Sequence, residues 1–172
     1  MSRLVPLNLP GWIEENRHLL KPPVANKLVW EDREFTVMIV GGPNTRKDYH
    51  IDPGEEFFYQ IEGDMVLKVM EDGRARDIPI REGEIFLLPP LVPHSPQRFS
   101  NTVGMVVERR RAEHEKDHLR WYCEGCGEIL HDASFHCTDL GTQLKPVIER
   151  FHASEELRTC DSCGTVMGVP GA

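Results

Sequence analysis

The chain has 172 residues, of which 40% are hydrophobic and 28% charged, with 13 Pro and 14 Gly. These values are typical of one globular domain with many turns, and they exclude a predominantly disordered chain. Lys and Arg number 20 and Asp and Glu 28, and the net charge of −8 disfavours nonspecific binding to nucleic acid. There is no apolar run of the roughly 20 residues that span a bilayer, and residues 1–10 lack a signal-peptide pattern. We therefore predict a cytoplasmic protein with neither a nucleic-acid nor a membrane partner.

The first predicted element is a short helix, followed by β-strands. Asn8 is a suitable N-cap, Pro10 is tolerated in the first turn, and Lys21-Pro22-Pro23 ends the helix. The following residues form short runs rich in β-branched and aromatic side chains, separated by Gly and Pro. The predicted strands are 35–40, 56–61, 65–70, 75–80, 85–88 and 103–107. This pattern predicts a closed or nearly closed β-barrel made of two sheets.

A charged stretch near residues 109–120 separates the barrel from a cysteine-containing tail. Three consecutive arginines, 109–111, are followed at once by acidic residues, which indicates a solvated connector rather than a nucleic-acid-binding stripe. We predict a barrel with its N-terminal helix over residues 1–112 and a C-terminal extension over residues 113–172. Within the extension, residues 149–157 are predicted to form a short helix. The extension is too small for a core of its own, so we expect a metal or the barrel to hold it.

His50, Glu56 and His94 form the first candidate metal site. A turn sequence, Asp52-Pro53-Gly54, separates the first two, and a Pro-rich loop fixes where the third side chain points. Two imidazoles and one carboxylate suit a divalent iron that keeps coordination positions open for O2, although zinc or manganese would also fit. Strand alternation turns Glu55 to the opposite side, so we predict no role for it.

The spacing of these residues resembles the two cupin motifs. The segments read His50-x5-Glu56-x6-Gly63 and Gly83-x5-Pro89-x4-His94. The first motif commonly has a further histidine where this chain has Asp48, and Leu91 replaces the usual Gly of the second. The resemblance therefore implies three protein ligands rather than four. It also implies an all-β fold, a cupin-type double-stranded β-helix (jelly-roll) barrel.

Four longer strings resemble the 3-hydroxyanthranilate 3,4-dioxygenase family. They are Leu20-Lys21-Pro22-Pro23-Val24-x-Asn26, Val40-Gly41-Gly42-Pro43-Asn44-x-Arg46-x-Asp48-Tyr49-His50, Glu56-Phe57-Phe58-Tyr59-Gln60 and His94-Ser95-Pro96-Gln97-Arg98. The resemblance implies Fe(II)-dependent extradiol cleavage of 3-hydroxyanthranilate by O2. The product would be 2-amino-3-carboxymuconate semialdehyde, which cyclises without an enzyme to quinolinate on the kynurenine route from tryptophan to NAD. The resemblance also implies a homodimer and places Asn26, Asp48 and Pro96 in or behind the pocket.

Two arginines are candidates for binding a substrate carboxylate. A guanidinium offers two parallel, permanently charged donors that an ammonium group cannot reproduce. Arg98 lies four residues after His94, and Arg46 lies four residues before His50, so in extended segments both share the faces of the ligands. Each could be an ordinary surface arginine, but the equal offsets favour the pocket. We therefore predict that both bind the substrate.

Glu108 and Phe58 complete the predicted substrate site. Glu108 has the same parity as Val106 and should point into the barrel, where it would accept a proton or hydrogen bond from the substrate. The family resemblance gives this position a substrate contact. The alternative is an ion pair with Arg109 or Arg110 at the end of the strand. Phe58 shares the parity of Glu56 and could form an apolar wall against an aromatic ring.

Two C-x-x-C-Gly knuckles form the second candidate metal site. The four thiolates of Cys123, Cys126, Cys160 and Cys163 can close a tetrahedral shell, which indicates a structural metal. The pairing resembles rubredoxin knuckles, and the family resemblance implies iron, although zinc is the commoner occupant of such sites. A redox dithiol and a zinc-ribbon nucleic-acid module are weaker alternatives, because neither knuckle opens a helix and the chain is acidic. Cys137 is predicted to be a packing residue.

Two alternatives to the dioxygenase hypothesis remain open at this point. A cupin enzyme could act on another aromatic or sugar acid. A metal-dependent binding or regulatory protein could instead use the barrel as a sensor. Oxygen uptake with 3-hydroxyanthranilate would distinguish the first hypothesis from both.

Overall fold

The structure, a computed structural model, describes residues 5–22, 25–30 and 33–169. Pro23 of the predicted helix end and Val24 of the first family string lie outside these residues. The helices are α1 (Leu9–Asn16), α2 (Leu140–Ala153) and α3 (Glu155–Arg158), and a 3₁₀ turn spans Arg17–Leu19. The strands are β1 (Asn26–Leu28), β2 (Phe35–Gly41), β3 (Tyr49–Ile51), β4 (Glu56–Glu62), β5 (Met65–Glu71), β6 (Arg74–Ile80), β7 (Ile85–Leu88), β8 (His94–Arg98), β9 (Val103–Arg109), β10 (Asp117–Tyr122) and β11 (Ile129–Phe135). Of the helices described, none has the length and apolar character needed to cross a membrane.

Two antiparallel sheets form the barrel. Their strand orders are β1-β2-β9-β4-β7 and β11-β10-β3-β8-β5-β6. Eight of these strands are divided between the sheets in the orders 2-9-4-7 and 3-8-5-6, which is the jelly-roll arrangement. The predicted cupin-type barrel with a short N-terminal helix is confirmed.

Turn and cap residues end the elements close to where the sequence predicts. The side chain of Asn8 accepts a hydrogen bond from the Gly11 amide at 2.9 Å and so caps α1. Asp72 and Gly73 connect β5 to β6 with φ of 50° and 71°, and positive φ at both positions matches the twist of a two-residue hairpin. The strand predictions over residues 35–107 are therefore confirmed to within two residues at each end.

Two apolar clusters hold the barrel together. The interior cluster between the sheets consists of Met38, Phe58, Met65, Leu67, Val69, Ile80, Leu88 and Val106. The second lies on the outer face of the first sheet, where Ile13 of α1 and Leu20 pack with Ile39 and Val103. Full burial of an aliphatic or aromatic side chain of this size contributes about 1.5 to 3 kcal/mol, so these clusters dominate the stability of the barrel.

The C-terminal region extends the second sheet. Leu119 of β10 lies opposite His50 of β3, so hydrogen-bonded strands cross the predicted division at residue 112. Leu119, Trp121, Phe151 and Met167 form a third buried cluster, in which the rings of Trp121 and Phe151 stack with centroids 4.1 Å apart. The expectation that this region lacks a core of its own is wrong, because α2 and β10 bring distant apolar residues together.

The predicted helix over residues 149–157 is also wrong in its extent. The α2 helix already begins at Leu140, and the side chain of Asp139 caps it by accepting a hydrogen bond from the Gly141 amide at 2.9 Å. Ser154 has an extended backbone and separates α2 from α3, where its hydroxyl accepts from the Leu157 amide at 3.2 Å. Two capped helices therefore occupy the segment.

Candidate metal centres and substrate cavity

His50, Glu56 and His94 meet between the two sheets. His50 of β3 lies directly opposite His94 of β8, and their ring centroids are 5.2 Å apart. Glu56 is the first residue of β4 and reaches the same point from the other sheet. All three side chains are buried, and their potential ligand atoms lie within 4.8 Å of one another. The barrel thus gathers three residues that are far apart in the sequence.

Hydrogen bonds fix both imidazole rings and leave one nitrogen of each facing Glu56. His94 Nδ1 donates to the Val92 carbonyl at 3.0 Å, which leaves Nε2 2.9 Å from Glu56 Oε1. His50 Nε2 donates to Asp117 Oδ2 at 2.7 Å, which leaves Nδ1 3.4 Å from the same oxygen. Among the described residues Glu56 Oε1 has no hydrogen-bond partner. Two imidazole nitrogens and a carboxylate oxygen directed at one point fit a divalent cation.

The charges of this site depend on its buried acidic neighbours. Burial lowers the pKa of His50, but the neighbouring carboxylates of Asp117 and Glu56 outweigh this and raise it to about 10. Burial raises the pKa of Glu56, but the nearby His94 and His50 hold that pKa well below its usual range. Glu56 is therefore ionised, as a metal ligand must be, and a metal competes with a proton for His50.

A cavity of about 110 Å³ adjoins the three candidate ligands. Six predicted substrate residues line it together with the ligands. These residues are Asn26, Arg46, Phe58, Pro96, Arg98 and Glu108, and further lining comes from Met38, Val40, Asn44, Val106, Leu140 and Leu144. A larger cavity of about 610 Å³ shares Asn26, Met38, Glu108 and Leu140 with it. The small cavity therefore adjoins a wider one.

Arg98 is a buried cation beside the candidate ligands. Its side chain comes from β8, two positions beyond Pro96 on the face that also carries His94. The residue is 2% exposed, and its Nη1 donates to Gln60 Oε1 at 3.0 Å. Within the described residues its Nε has no hydrogen-bond partner, and burial lowers its pKa to about 10. A guanidinium buried without a carboxylate is costly, so the cavity is suited to an anionic group.

Arg46 lines the same cavity but already has an acidic partner. Its guanidinium makes a two-pronged contact with Asp48, in which Nε lies 3.1 Å from Oδ1 and Nη2 contacts Oδ2. Asp48 itself is buried and lines a neighbouring cavity rather than this one. The two arginines therefore line one cavity but differ in charge compensation, because among the described residues Arg98 has no carboxylate partner of this kind.

Glu108 points into the barrel from β9, opposite Glu56 on β4. Its Oε1 accepts a hydrogen bond from Arg111 at 2.8 Å, and its Oε2 has no partner among the described residues. Burial and the charge of Glu56 raise its pKa to about 8, although Arg111 partly offsets them. The predicted alternative was an ion pair with Arg109 or Arg110, but the arginine that pairs with Glu108 is Arg111.

Glu55, for which no role is predicted, is exposed on the opposite side of the strand from Glu56.

Arg111 corrects the prediction of a solvated connector. Its side chain is 3% exposed and contacts Asp52, Glu108 and Asp117 through ion pairs of 2.6 to 2.8 Å. The neighbouring Arg109 differs in burial, because it forms its ion pair with Glu115 at the surface. The three acidic partners come from separate segments, so their convergence could not be read from the local charge pattern.

Four thiols converge at the second candidate metal centre. Cys123 Sγ lies 3.5 Å from Cys163 Sγ, and Cys126 Sγ lies 3.6 Å from Cys160 Sγ. A tetrahedral shell with metal–sulfur bonds of about 2.3 Å places sulfurs about 3.8 Å apart, so the cluster fits such a metal. Gly127 and Gly164 follow the second Cys of each knuckle with φ of 80° and 73°, which tightens both turns.

Cys137 lies apart from the four-cysteine cluster. It is buried and lines the larger cavity, beside Glu108 and Arg111. It is not among the residues that gather as possible metal ligands in the described part of the chain. A packing role remains the prediction for this residue.

Sequence reasoning missed Asp117, Arg111, Leu140 and Leu144. A signal for Asp117 was available, because Asp117, Leu119 and Trp121 alternate with polar residues as in a strand buried on one face. For Leu140 and Leu144 the signal was weaker, since Gly141 and Pro146 interrupt the helical pattern. These residues reach the site through tertiary contacts.

Comparison with known proteins identifies the family. A family model described as 3-hydroxyanthranilic acid dioxygenase matches residues 1–152. A relative from Neurospora crassa, named 3-hydroxyanthranilate 3,4-dioxygenase, is 60% identical over 94% of this chain and 89% of its own length. A relative of the same name from Xanthomonas campestris pv. campestris is 56% identical over 96% and 93%. A cupin-2 domain containing protein of Shewanella frigidimarina is structurally similar, with a TM-score of 0.48, 17% identity, and coverage of 57% of this chain and 92% of that one. Because the family model and both relatives span most of the sequence, the chain belongs to the 3-hydroxyanthranilic acid dioxygenase family.

Proposed function

We propose that this protein is an Fe(II)-dependent extradiol dioxygenase that cleaves 3-hydroxyanthranilate. The reaction adds both atoms of O2 to the ring and gives 2-amino-3-carboxymuconate semialdehyde, which cyclises to quinolinate, a precursor of NAD. The names of the relatives support this substrate. The donor set of two histidines and one glutamate supports iron, because it leaves positions free for further ligands.

The observation that carries the proposal is the unpaired charge of Arg98. A carboxylate is the complementary partner for a guanidinium that is buried beside a cluster of candidate metal ligands. The substrate carries a carboxylate on the same ring as its amine and hydroxyl groups. When Arg98 binds the carboxylate, the ring lies in the cavity and its amine and hydroxyl face the other polar residues.

The remaining cavity residues orient the substrate and handle its proton. Glu108 Oε2 has no partner in the part of the chain that the structure describes, and the Glu108 pKa of about 8 lies close to neutrality, where a carboxylate both accepts and returns a proton efficiently. We assign it acceptance of the hydroxyl proton. Phe58 and Val106 form an apolar wall that keeps water from the ring. Arg46, whose charge is paired with Asp48, provides further guanidinium donors near the carboxylate.

The two metal centres are assigned different roles. Iron held by His50, Glu56 and His94 would supply activation of O2, which organic side chains alone cannot provide. The four-cysteine cluster offers a closed shell without a free position, so we assign it a structural iron or zinc. Cysteine thiols that serve as metal ligands rather than disulfides support a cytoplasmic location.

Oxygen uptake tests the proposed reaction. The Fe(II)-loaded protein is mixed with 3-hydroxyanthranilate in an oxygen electrode, and the absorption spectrum is followed in parallel. We expect one O2 consumed for each substrate molecule and a new absorption band that decays as quinolinate forms. Tight binding of 3-hydroxyanthranilate without O2 uptake would support a binding or regulatory protein instead. Turnover of other aromatic acids alone would support a different cupin enzyme.

We also infer a homodimer, supported by an apolar region on the outer face of the first sheet. Phe35, Ile85 and Leu87 are 58%, 65% and 53% exposed. Leu87 lies opposite Phe57, which lies opposite Val107, so one apolar row crosses three strands to the edge strand β7. Monomeric soluble proteins rarely expose large contiguous apolar patches, and a second copy would cover this one.

A further inference from the structure

Asp117 lies directly behind His50, outside the eight strands of the jelly roll. It is the first residue of β10, which pairs with β3 and places His118 opposite Ile51. Its side chain is fully buried, and Oδ2 accepts a hydrogen bond from His50 Nε2 at 2.7 Å. A carboxylate in this position fixes both the orientation of the imidazole and the nitrogen that carries the proton.

We propose that Asp117 is a positioning residue for the metal centre, which holds His50 with Nε2 protonated so that Nδ1 is presented as the ligand atom. This inference deepens the proposed function and depends on the assignment of His50 as a ligand. A metal-bound histidine commonly donates its other ring N–H to a carboxylate or carbonyl, and that partner sets the tautomer and raises the basicity of the ligand nitrogen. The geometry here satisfies that requirement.

Arg111 holds Asp117 in place. Its Nε donates to Oδ1 at 2.9 Å and its Nη2 to Oδ2 at 2.6 Å, so both oxygens of Asp117 are fixed. The same guanidinium donates from Nη1 to Glu108 at 2.8 Å. A single buried cation thus positions the carboxylate behind the metal ligand and the carboxylate that faces the substrate.

The two histidines of the centre differ in the partner behind them. His94 Nδ1 donates to a neutral carbonyl, that of Val92, whereas His50 donates to a charged carboxylate. Hydrogen bonds to ionised groups are roughly twice as strong as those between neutral groups. Loss of the charge on Asp117 should therefore weaken metal binding through His50 while the ring of His94 stays fixed.

The chain provides a matched control on the same hairpin. His118 Nδ1 lies 2.6 Å from Asp132 Oδ1, so this pair repeats the histidine–carboxylate contact in β10 and β11. The pair is partly exposed and does not line the cavity. Asp132→Asn removes a carboxylate of the same kind from the same hairpin but leaves the metal centre untouched.

The first experiment measures the affinity of the barrel site for Co(II) by competition with a chelator. Absorption bands from cobalt–thiolate charge transfer report the four-cysteine site separately, because the barrel site has no sulfur ligand. We expect Asp117→Asn to weaken binding at the barrel site about tenfold to a hundredfold, the usual effect of losing such a partner. Asp132→Asn should leave the dissociation constant unchanged, and both variants should retain the cobalt–thiolate bands.

The second measurement needs no variant, so it remains decisive if Asp117→Asn fails to fold. In the Zn(II)-loaded parent protein, ¹⁵N NMR of the histidine side chains should show the proton of His50 on Nε2. A proton on Nδ1 would overturn the inference, as would barrel-site affinity in Asp117→Asn within threefold of the parent. His50→Ala separates the two levels of the argument. If it too leaves barrel-site affinity unchanged, the proposed metal centre itself is wrong.

Discussion

Single residues of the cavity carry polar atoms that the protein alone does not satisfy. Glu56 Oε1, Arg98 Nε and Glu108 Oε2 are buried without a hydrogen-bond partner in the described part of the chain. An unsatisfied buried polar group typically costs about 1 to 3 kcal/mol. Three such atoms around one cavity are consistent with a metal and an anionic substrate as their partners.

Alanine substitution of a candidate ligand should abolish turnover. His50→Ala, Glu56→Ala and His94→Ala each remove one donor, while the apolar clusters that hold the barrel remain intact. Oxygen uptake should fall to background and the metal content of the barrel site should fall with it. Glu55→Ala is the control, because this neighbouring carboxylate is exposed on the other side of the strand and should be nearly silent. Parental catalysis in any of the three ligand variants would refute the assignment.

Replacement of Arg98 by lysine should weaken binding of the substrate carboxylate. An ammonium group keeps the charge but cannot provide two parallel donors. Loss of a charge-assisted hydrogen bond costs about 1.5 to 3 kcal/mol, which is roughly a tenfold to hundredfold decrease in kcat/KM. The measurement compares parent and Arg98→Lys on 3-hydroxyanthranilate and on 2-aminophenol, which lacks the carboxylate. Equal losses on both substrates would show that Arg98 supports the loop or the metal rather than the carboxylate.

Secondary structure elements differ in how well the sequence predicts them. The predicted strands over residues 35–107 lie between Gly and Pro turns, and β4 and β5 alternate in burial, so both signals are local. In β10 the alternation of Asp117, Leu119 and Trp121 is a local signal, but the charged residues before it resemble a solvated linker, and its partner β3 lies far away in the sequence. For the same reason the positions of His50, Glu56 and His94 were readable from motif spacing, whereas Asp117 and Arg111 were not. Pro146 lies inside α2 and weakens the sequence signal for a helix, although the apolar face of α2 packs on Trp121.

The two knuckles should contribute to stability rather than to catalysis. Replacement of Cys160 and Cys163 by Ser should remove the second metal and lower Tm, by about 2 to 4 °C for each kcal/mol lost in a chain of this size. The metal of the barrel site and kcat should remain close to those of the parent. Metal analysis and calorimetry measure these effects, and Cys137→Ala serves as the control for metal content because this thiol lies outside the cluster. Loss of activity with the barrel site still loaded would show that the knuckles participate in the reaction.

At the scale of the whole molecule, the apolar outer face of the first sheet should control assembly. Leu87→Lys places a charge in the apolar row and should raise the dimer dissociation constant at least about tenfold, as for a central interface residue. Sedimentation velocity over a range of concentrations measures this. Phe99→Lys changes a residue of similar exposure, 54%, in the loop after β8 and should have no effect. A monomeric parent protein at all concentrations would refute the dimer.

The attachment of β10 to β3 limits how this protein can be divided. A cut at residue 112 would retain all three candidate ligands and Arg111 but would remove Asp117 and strip β3 of one neighbour. The ligands of the centre are therefore encoded early in the chain, and the residue that orients one of them is encoded later. A minimal catalytic barrel would therefore need to keep the hairpin of β10 and β11. If the C-terminal region were exchanged for that of another protein, β10 would have to be preserved before the cysteine knuckles.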